Sequence, residues 1–170
     1  IGKNHKNLIQ SSGKDQIEKL NCISGAVMFF DTKIFRKLKG FDKNFFLYFE
    51  EFDLCKSIIN KGENIYTSSN LKIHHLGFQS SIKTPKDRTD INKLREWHWM
   101  WSTFYFYKKN FNYFYALKKI FGKFTKSFFK MIFYSIILNK SERQKYLYRF
   151  LGILNALLNK PSTFRIYNKN

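Results

Sequence analysis

The chain has 170 residues, a formal net charge of +19 and 19% aromatic residues. Its length suits about one ordinary domain, and 44% hydrophobic residues can build a core, which excludes wholesale disorder. Two cysteines exclude a disulfide scaffold and fit a reducing compartment, while the sign of the charge admits nucleic acid, anionic lipid or a phosphorylated substrate.

Residues 1–19 are polar, with two glycines, and read as a loop. The apolar run 22–30, with its small Ser24-Gly25-Ala26 patch, predicts a buried strand. Asp31 or Thr32 can cap a short helix over 33–38, which Gly40 ends. Residues 51–61 are helical by pattern: Leu54, Cys55, Ile58 and Ile59 share a face, and Gly62 is the stop. Short strands are expected at 64–67 and 71–74. Strand, helix, strand in that rhythm predicts an α/β layer. The polar stretch 79–90, which holds Pro85, reads as a mobile loop.

Three helices are expected beyond it. Ile91, Leu94, His98, Trp101 and Tyr105 recur at helical spacing. Phe114, Leu117, Phe121, Phe124, Phe128 and Met131 repeat the pattern. Ser141 can cap the third, with Leu147, Phe150 or Leu151, Leu154, Leu157 and Leu158 on one side and Pro161 beyond its end. No run approaches the ~20 uninterrupted apolar residues of a spanning helix. The expected organisation is therefore an α/β region over 1–80, a mobile loop over 81–90 and a basic, aromatic helical region over 91–170. Residues 1–80 hold 12 basic and 8 acidic side chains, whereas 81–170 hold 19 and 4, so nearly all of the excess charge lies in the helices. Lys119, Lys123, Lys126 and Lys130 fall on one side of the middle helix, within roughly 60° of one another, opposite the Phe114–Met131 stripe. That pattern suits an anionic membrane interface, and a bundle helix with a solvated lysine face is the alternative.

Chemistry concentrates between Gly40 and Ser80. Glu50, Glu51 and Asp53 place three carboxylates within four positions, straight after an aromatic run. Such a cluster is costly unless paired, solvated or used. A helix start favours it electrostatically, and a general base flanked by carboxylates is the functional alternative. His74 ends a candidate strand and could be a metal ligand or a structural histidine.

Ser24-Gly25-Ala26, Gly40-Phe41-Asp42, Phe45-Phe46, the string Tyr48-Phe49-Glu50-Glu51-Phe52-Asp53-Leu54-Cys55, His74-His75 and Ser80 stand in one order. That ordered set resembles the C-terminal half of a family 2 glycosyltransferase, more narrowly its rhamnosyltransferase-like members, over about 22–81, with a weaker echo at 145–160. The resemblance implies a GT-A fold, a Rossmann-like α/β sandwich that binds a nucleotide-sugar and a divalent cation, Mg or Mn. It implies that Glu51 is the general base, where the family usually has Asp, with Glu50 and Asp53 positioning it or touching the acceptor. Ser24, Gly25, Ala26 and Asp42 would shape the acceptor site, and His74 would be a metal ligand. Lys43 stands where the family has Glu.

The implied function is inverting sugar transfer, with rhamnose favoured by the resemblance, in cell-surface polysaccharide synthesis. The donor would be a nucleotide-sugar and the acceptor a saccharide or a lipid-linked one. The protein would work in the cytoplasm, peripheral at the inner face of the cell membrane, with an anionic membrane surface and no nucleic acid as partner. The chain opens on Ile1, and only residues 1–20 precede the Ser-Gly-Ala run, without the family's Asp-x-Asp. It is therefore expected to be a piece of a longer protein, to hold the acceptor half of the site and to be inactive alone. Two readings compete with this one. One is a basic module that binds nucleic acid through phosphate contacts and base stacking. The other is a membrane-surface scaffold without catalysis.

Overall fold

The computed structural model describes residues 8–9, 17–23, 25–70 and 85–166, and 62% of these are helical. They fall into two units, one drawn from Ile1–Asp42 and Glu50–Gly77, the other from Lys43–Phe49 and Phe78–Asn170.

In the first unit, Asp31 caps a short helix, α1 (Thr32–Lys37): its Oδ1 accepts from the Lys33 and Ile34 amides at 2.7 and 3.3 Å. Helix α2 (Glu50–Asn60) ends at a turn closed by Gly62, whose φ of 81° favours a residue without Cβ. Leu54, Cys55 and Ile58 form its buried face. They pack on Ile65 of a short strand, with Ile23, Met28, Phe30, Phe35 and Leu38 around them. That strand, β3 (Ile65–Ser68), pairs antiparallel with β2 (Ile17–Leu20), Leu20 opposite Ile65, and β2 pairs antiparallel with β1 (Leu8–Ile9).

This architecture corrects the expected fold. The unit is not part of a Rossmann-like α/β sandwich: its sheet has three short strands, all antiparallel, in the order β1-β2-β3. The run 22–30 is not a strand. Its described residues form turns and irregular backbone, with Val27 exposed and Phe29 83% exposed, whereas a central parallel strand must be covered on both faces. The stretch read as a loop over 1–19 instead contributes β1 and β2, which their pairing defines rather than any local pattern. The strand expected at 71–74 lies outside the described residues.

The second unit holds α3 (Pro85–Asn110), α4 (Tyr113–Ile136) and α5 (Lys140–Leu157). α3 begins inside the stretch read as loop. Its Trp97, Met100, Trp101 and Phe104 meet Ala116 and Ile120 of α4 and Ile153 and Ala156 of α5. α3 is buried almost all round from 97 to 104, because the segment 43–49 also lies on it: Ser102 Oγ donates to Leu47 O at 2.8 Å, and Asn44 Nδ2 donates to Tyr105 OH at 2.9 Å. A half-buried ion pair, Arg149 Nε to Glu96 Oε2 at 2.5 Å, ties α5 to α3. Among the described residues, no helix is long and apolar enough to cross a membrane.

Side-chain oxygens open the last two helices. Asn139, not Ser141, caps α5 by accepting from the Glu142 amide at 3.2 Å. Asn112 caps α4, its Oδ1 accepting from the Tyr115 amide at 2.8 Å. Asn112→Ala should cost about 1 kcal/mol, because it leaves that donor without a protein partner. Urea denaturation measures the loss, and an unchanged midpoint would show that the cap contributes nothing.

Candidate functional site

Helix α2 gathers the carboxylates. Glu50, Glu51 and Asp53 all fall in its first turn, where the positive end of the helix dipole favours them. The two residues before it, Tyr48 and Phe49, have φ of 68° and 72°, a left-handed conformation that bulky side chains rarely adopt. Within the second unit their rings are fixed by aromatic contacts. Tyr48 meets the edge of Trp99 at 5.1 Å, and Phe49 lies 5.5 Å from Trp99 and 5.3 Å from Phe106. Tyr48 OH also accepts from Arg95 Nε at 2.6 Å. Strained backbone of this kind persists only where its surroundings over-determine it.

The three carboxylates are in different environments. Glu50 is half-buried, and its Oε2 is buried with no hydrogen-bond partner among the described residues. Burial pushes its carboxyl up, a backbone hydrogen bond opposes the rise, and the charge of Glu51 adds to it. Asp53 is buried, and its backbone carbonyl accepts from Ser57 Oγ at 2.9 Å. Glu51 is half-buried and lies against the turn at Gly25. A Cβ built on Gly25 would stand 3.7 Å from Glu51 Cβ and 3.8 Å from its Cγ and Cδ.

The structure thus brings the small-residue turn and Glu51 together. Ala26 continues that turn, exposed. Asp42 stands in the chain after the Gly40 turn, half-buried. Ser24 and His74 lie outside the described residues. Among the described residues no group of three or more His, Cys, Asp or Glu side chains is placed to hold a metal ion. An apolar cavity of about 250 Å³ lies in the same unit, lined by Met28, Phe30, Phe35, Leu54, Cys55 and Ile65 among others; none of the three carboxylates lines it.

Sequence reasoning missed one pair at this site. The Cys22 thiol hydrogen-bonds Cys55, which drives Cys22 upward and lowers Cys55 to about 7. The charge of Glu51 pushes both thiols up. The signal was present in part: Cys55 stands four residues after Glu51, on the same face of α2. The approach of Cys22 is tertiary and leaves no mark in the local sequence.

Comparison of the chain with protein-family models, curated proteins and solved structures found no match.

Proposed function

We propose that the carboxylates at the start of α2 form the acceptor side of an inverting glycosyltransferase, within a longer protein that binds the nucleotide-sugar donor. The contact of the Gly25 turn with Glu51 carries the reading: two elements 26 positions apart in the ordered motif set meet at one carboxylate. Glu51 takes the proton of an acceptor hydroxyl. The freed oxygen lone pair bonds to the anomeric carbon while the bond from that carbon to the nucleoside diphosphate breaks on the opposite face. Glu50 and Asp53 stand in the same first turn of α2 and flank the base, where they position it or touch the acceptor. The acceptor is a saccharide or a lipid-linked one, rhamnose the sugar the motif resemblance favours, and the working place the inner face of the cell membrane.

The test is sugar transfer by the full-length protein. Glu51→Gln should lower kcat by about 10²–10⁴-fold, the range of a lost general base, with an unchanged thermal melt. Near-normal turnover would remove Glu51 as the base. The isolated 170-residue chain should transfer no sugar; measurable transfer by it would show that it already holds a donor site.

A further inference from the structure

Helix α4 does not present the two faces that its sequence suggests. Ala116, Ile120 and Ser127 are its buried residues, so the core lies on a side lined by small side chains and one isoleucine. Phe114, Phe121, Phe129, Ile132 and Ile136 fall on the other side, within an arc of about 80° at 100° per residue. All five are exposed, Phe121 and Phe129 at 67% and Ile136 at 74%. The apolar surface continues past the helix end through Ile137 and Leu138, the latter 88% exposed. Isolated exposed apolar residues are ordinary, but five large ones on one side of a helix over six turns mark an interaction surface.

Charge on the helix indicates what covers the stripe. α4 carries five lysines and no acidic residue. Lys119, Lys126 and Lys130 form one flank of the stripe, within about 40° of one another, and Lys118 lies inside it. Lys119 sits 5.3 Å from the Tyr115 ring centre and Lys130 5.1 Å from that of the buried Tyr146. At the end of α4 a groove of about 480 Å³ lies beside the stripe, lined by Met131, Ile132, Ser135, Ile136, Arg143 and Leu147. Its walls suit an acyl chain, and Arg143 suits the phosphate above it. A second copy of the same face would bring lysines against lysines, whereas anionic headgroups neutralise them.

We propose that the outward face of α4 lies in the interface of an anionic phospholipid bilayer, with its phenylalanines among the upper acyl chains and its lysine flank and Arg143 on the headgroup phosphates. The helix lies in the plane of the membrane and does not cross it. This deepens the membrane-surface part of the function proposed above and is independent of its chemistry, because it uses the second unit alone.

Flotation of the 170-residue chain with phosphatidylcholine vesicles, and with vesicles of phosphatidylcholine and phosphatidylglycerol, tests the proposal. The chain should partition into the anionic vesicles, and added salt should weaken this. Phe121→Ser with Phe129→Ser should lower partitioning roughly tenfold or more without moving the thermal melt, because both rings are exposed. Lys118→Glu with Lys126→Glu should do the same through charge. Equal partitioning into both vesicle types, or unchanged partitioning of either double variant, overturns the proposal. So does a lipid-free dimer that the phenylalanine variant dissociates while vesicle binding stays intact, which would assign the face to a second copy. Salt-sensitive capture of a random oligonucleotide, with no vesicle binding, overturns it in favour of nucleic acid.

Discussion

Gly152→Ala should destabilise the three-helix unit by roughly 3 kcal/mol, the upper range for forcing one extra methyl group into a packed contact. Gly152 lies on the buried side of α5, where α3 crosses it. A Cβ there would stand 2.3 Å from Trp97 O, 3.1 Å from Trp97 C and 3.2 Å from Trp97 Cα. All three are backbone atoms, so no rotamer change relieves the clash and the helices must separate. Separation loosens Ile153 and Ala156 on one side and Trp97 and Trp101 on the other, all in the same core cluster. It also stretches the Arg149–Glu96 pair. The better helix propensity of alanine returns at most about 1 kcal/mol. Gly122→Ala is the matched control: no atom lies within 4 Å of its added Cβ, so α4 should gain up to about 1 kcal/mol. Urea denaturation should show the midpoint falling for Gly152→Ala and rising for Gly122→Ala, at constant slope. Equal midpoints for the two variants would mean that α3 and α5 do not approach as closely as Trp97 O and Gly152 require.

The same glycine shows why part of the fold was hidden in the sequence. Periodicity located all three long helices, but the apolar stripes did not by themselves tell which residues would be buried. On α5 Tyr146, Gly152, Ile153 and Ala156 are buried, Leu151 and Leu157 of the leucine side pack against the core, and Leu158 is exposed. On α4 Ala116, Ile120 and Ser127 are buried, and the phenylalanine stripe divides: Leu117 and Phe124 pack against the core while Phe114, Phe121 and Phe128 are exposed. Close helix approach selects small residues, and the size of the gap is a tertiary quantity that no single-helix pattern encodes. Local signals fared better: the Asp31 cap, the Gly62 stop and the start of α2 all follow from residue type within a few positions. The sheet was legible only in part: β3 falls where a strand was expected at 64–67, whereas β1 and β2 were read as loop. β2 has four residues, its partner β3 begins 45 positions later, and neither carries a long alternation.

At the candidate site, the carboxylates were legible because they are consecutive on one helix start. The Gly25–Glu51 approach and the Cys22–Cys55 pair required the fold.

Acid should destabilise the second unit through one buried histidine. His98 was readable only as one member of the apolar stripe on α3. In the structure it is wholly buried, with its ring 4.9 Å from that of Phe46 and 4.7 Å from that of Trp97. Nε2 lies 2.9 Å from Phe164 O, which can only accept, so the proton sits on Nε2. Nδ1 is buried without a partner among the described residues. Protonating it would bury a cation with no counter-charge, and the nearby Arg165 guanidinium adds repulsion. Burial is the larger cause, and the hydrogen bond to Phe164 O opposes it; the result is a fall from 6.5 to about 4.

The sign of the pH effect follows. Between about pH 6.5 and pH 4 the unfolded chain binds a proton at His98 and the folded chain does not, so stability rises with pH there, by up to about 1.4 kcal/mol per unit. The contribution is complete above the unfolded value and is lost as pH falls through the folded one, a total of about 3 kcal/mol. His98→Gln keeps a donor for Phe164 O and removes the titration. Urea midpoints between about pH 7 and pH 4.5 should therefore fall more steeply for the wild type than for His98→Gln. Parallel falls would place the acid sensitivity on other groups and leave His98 as packing alone.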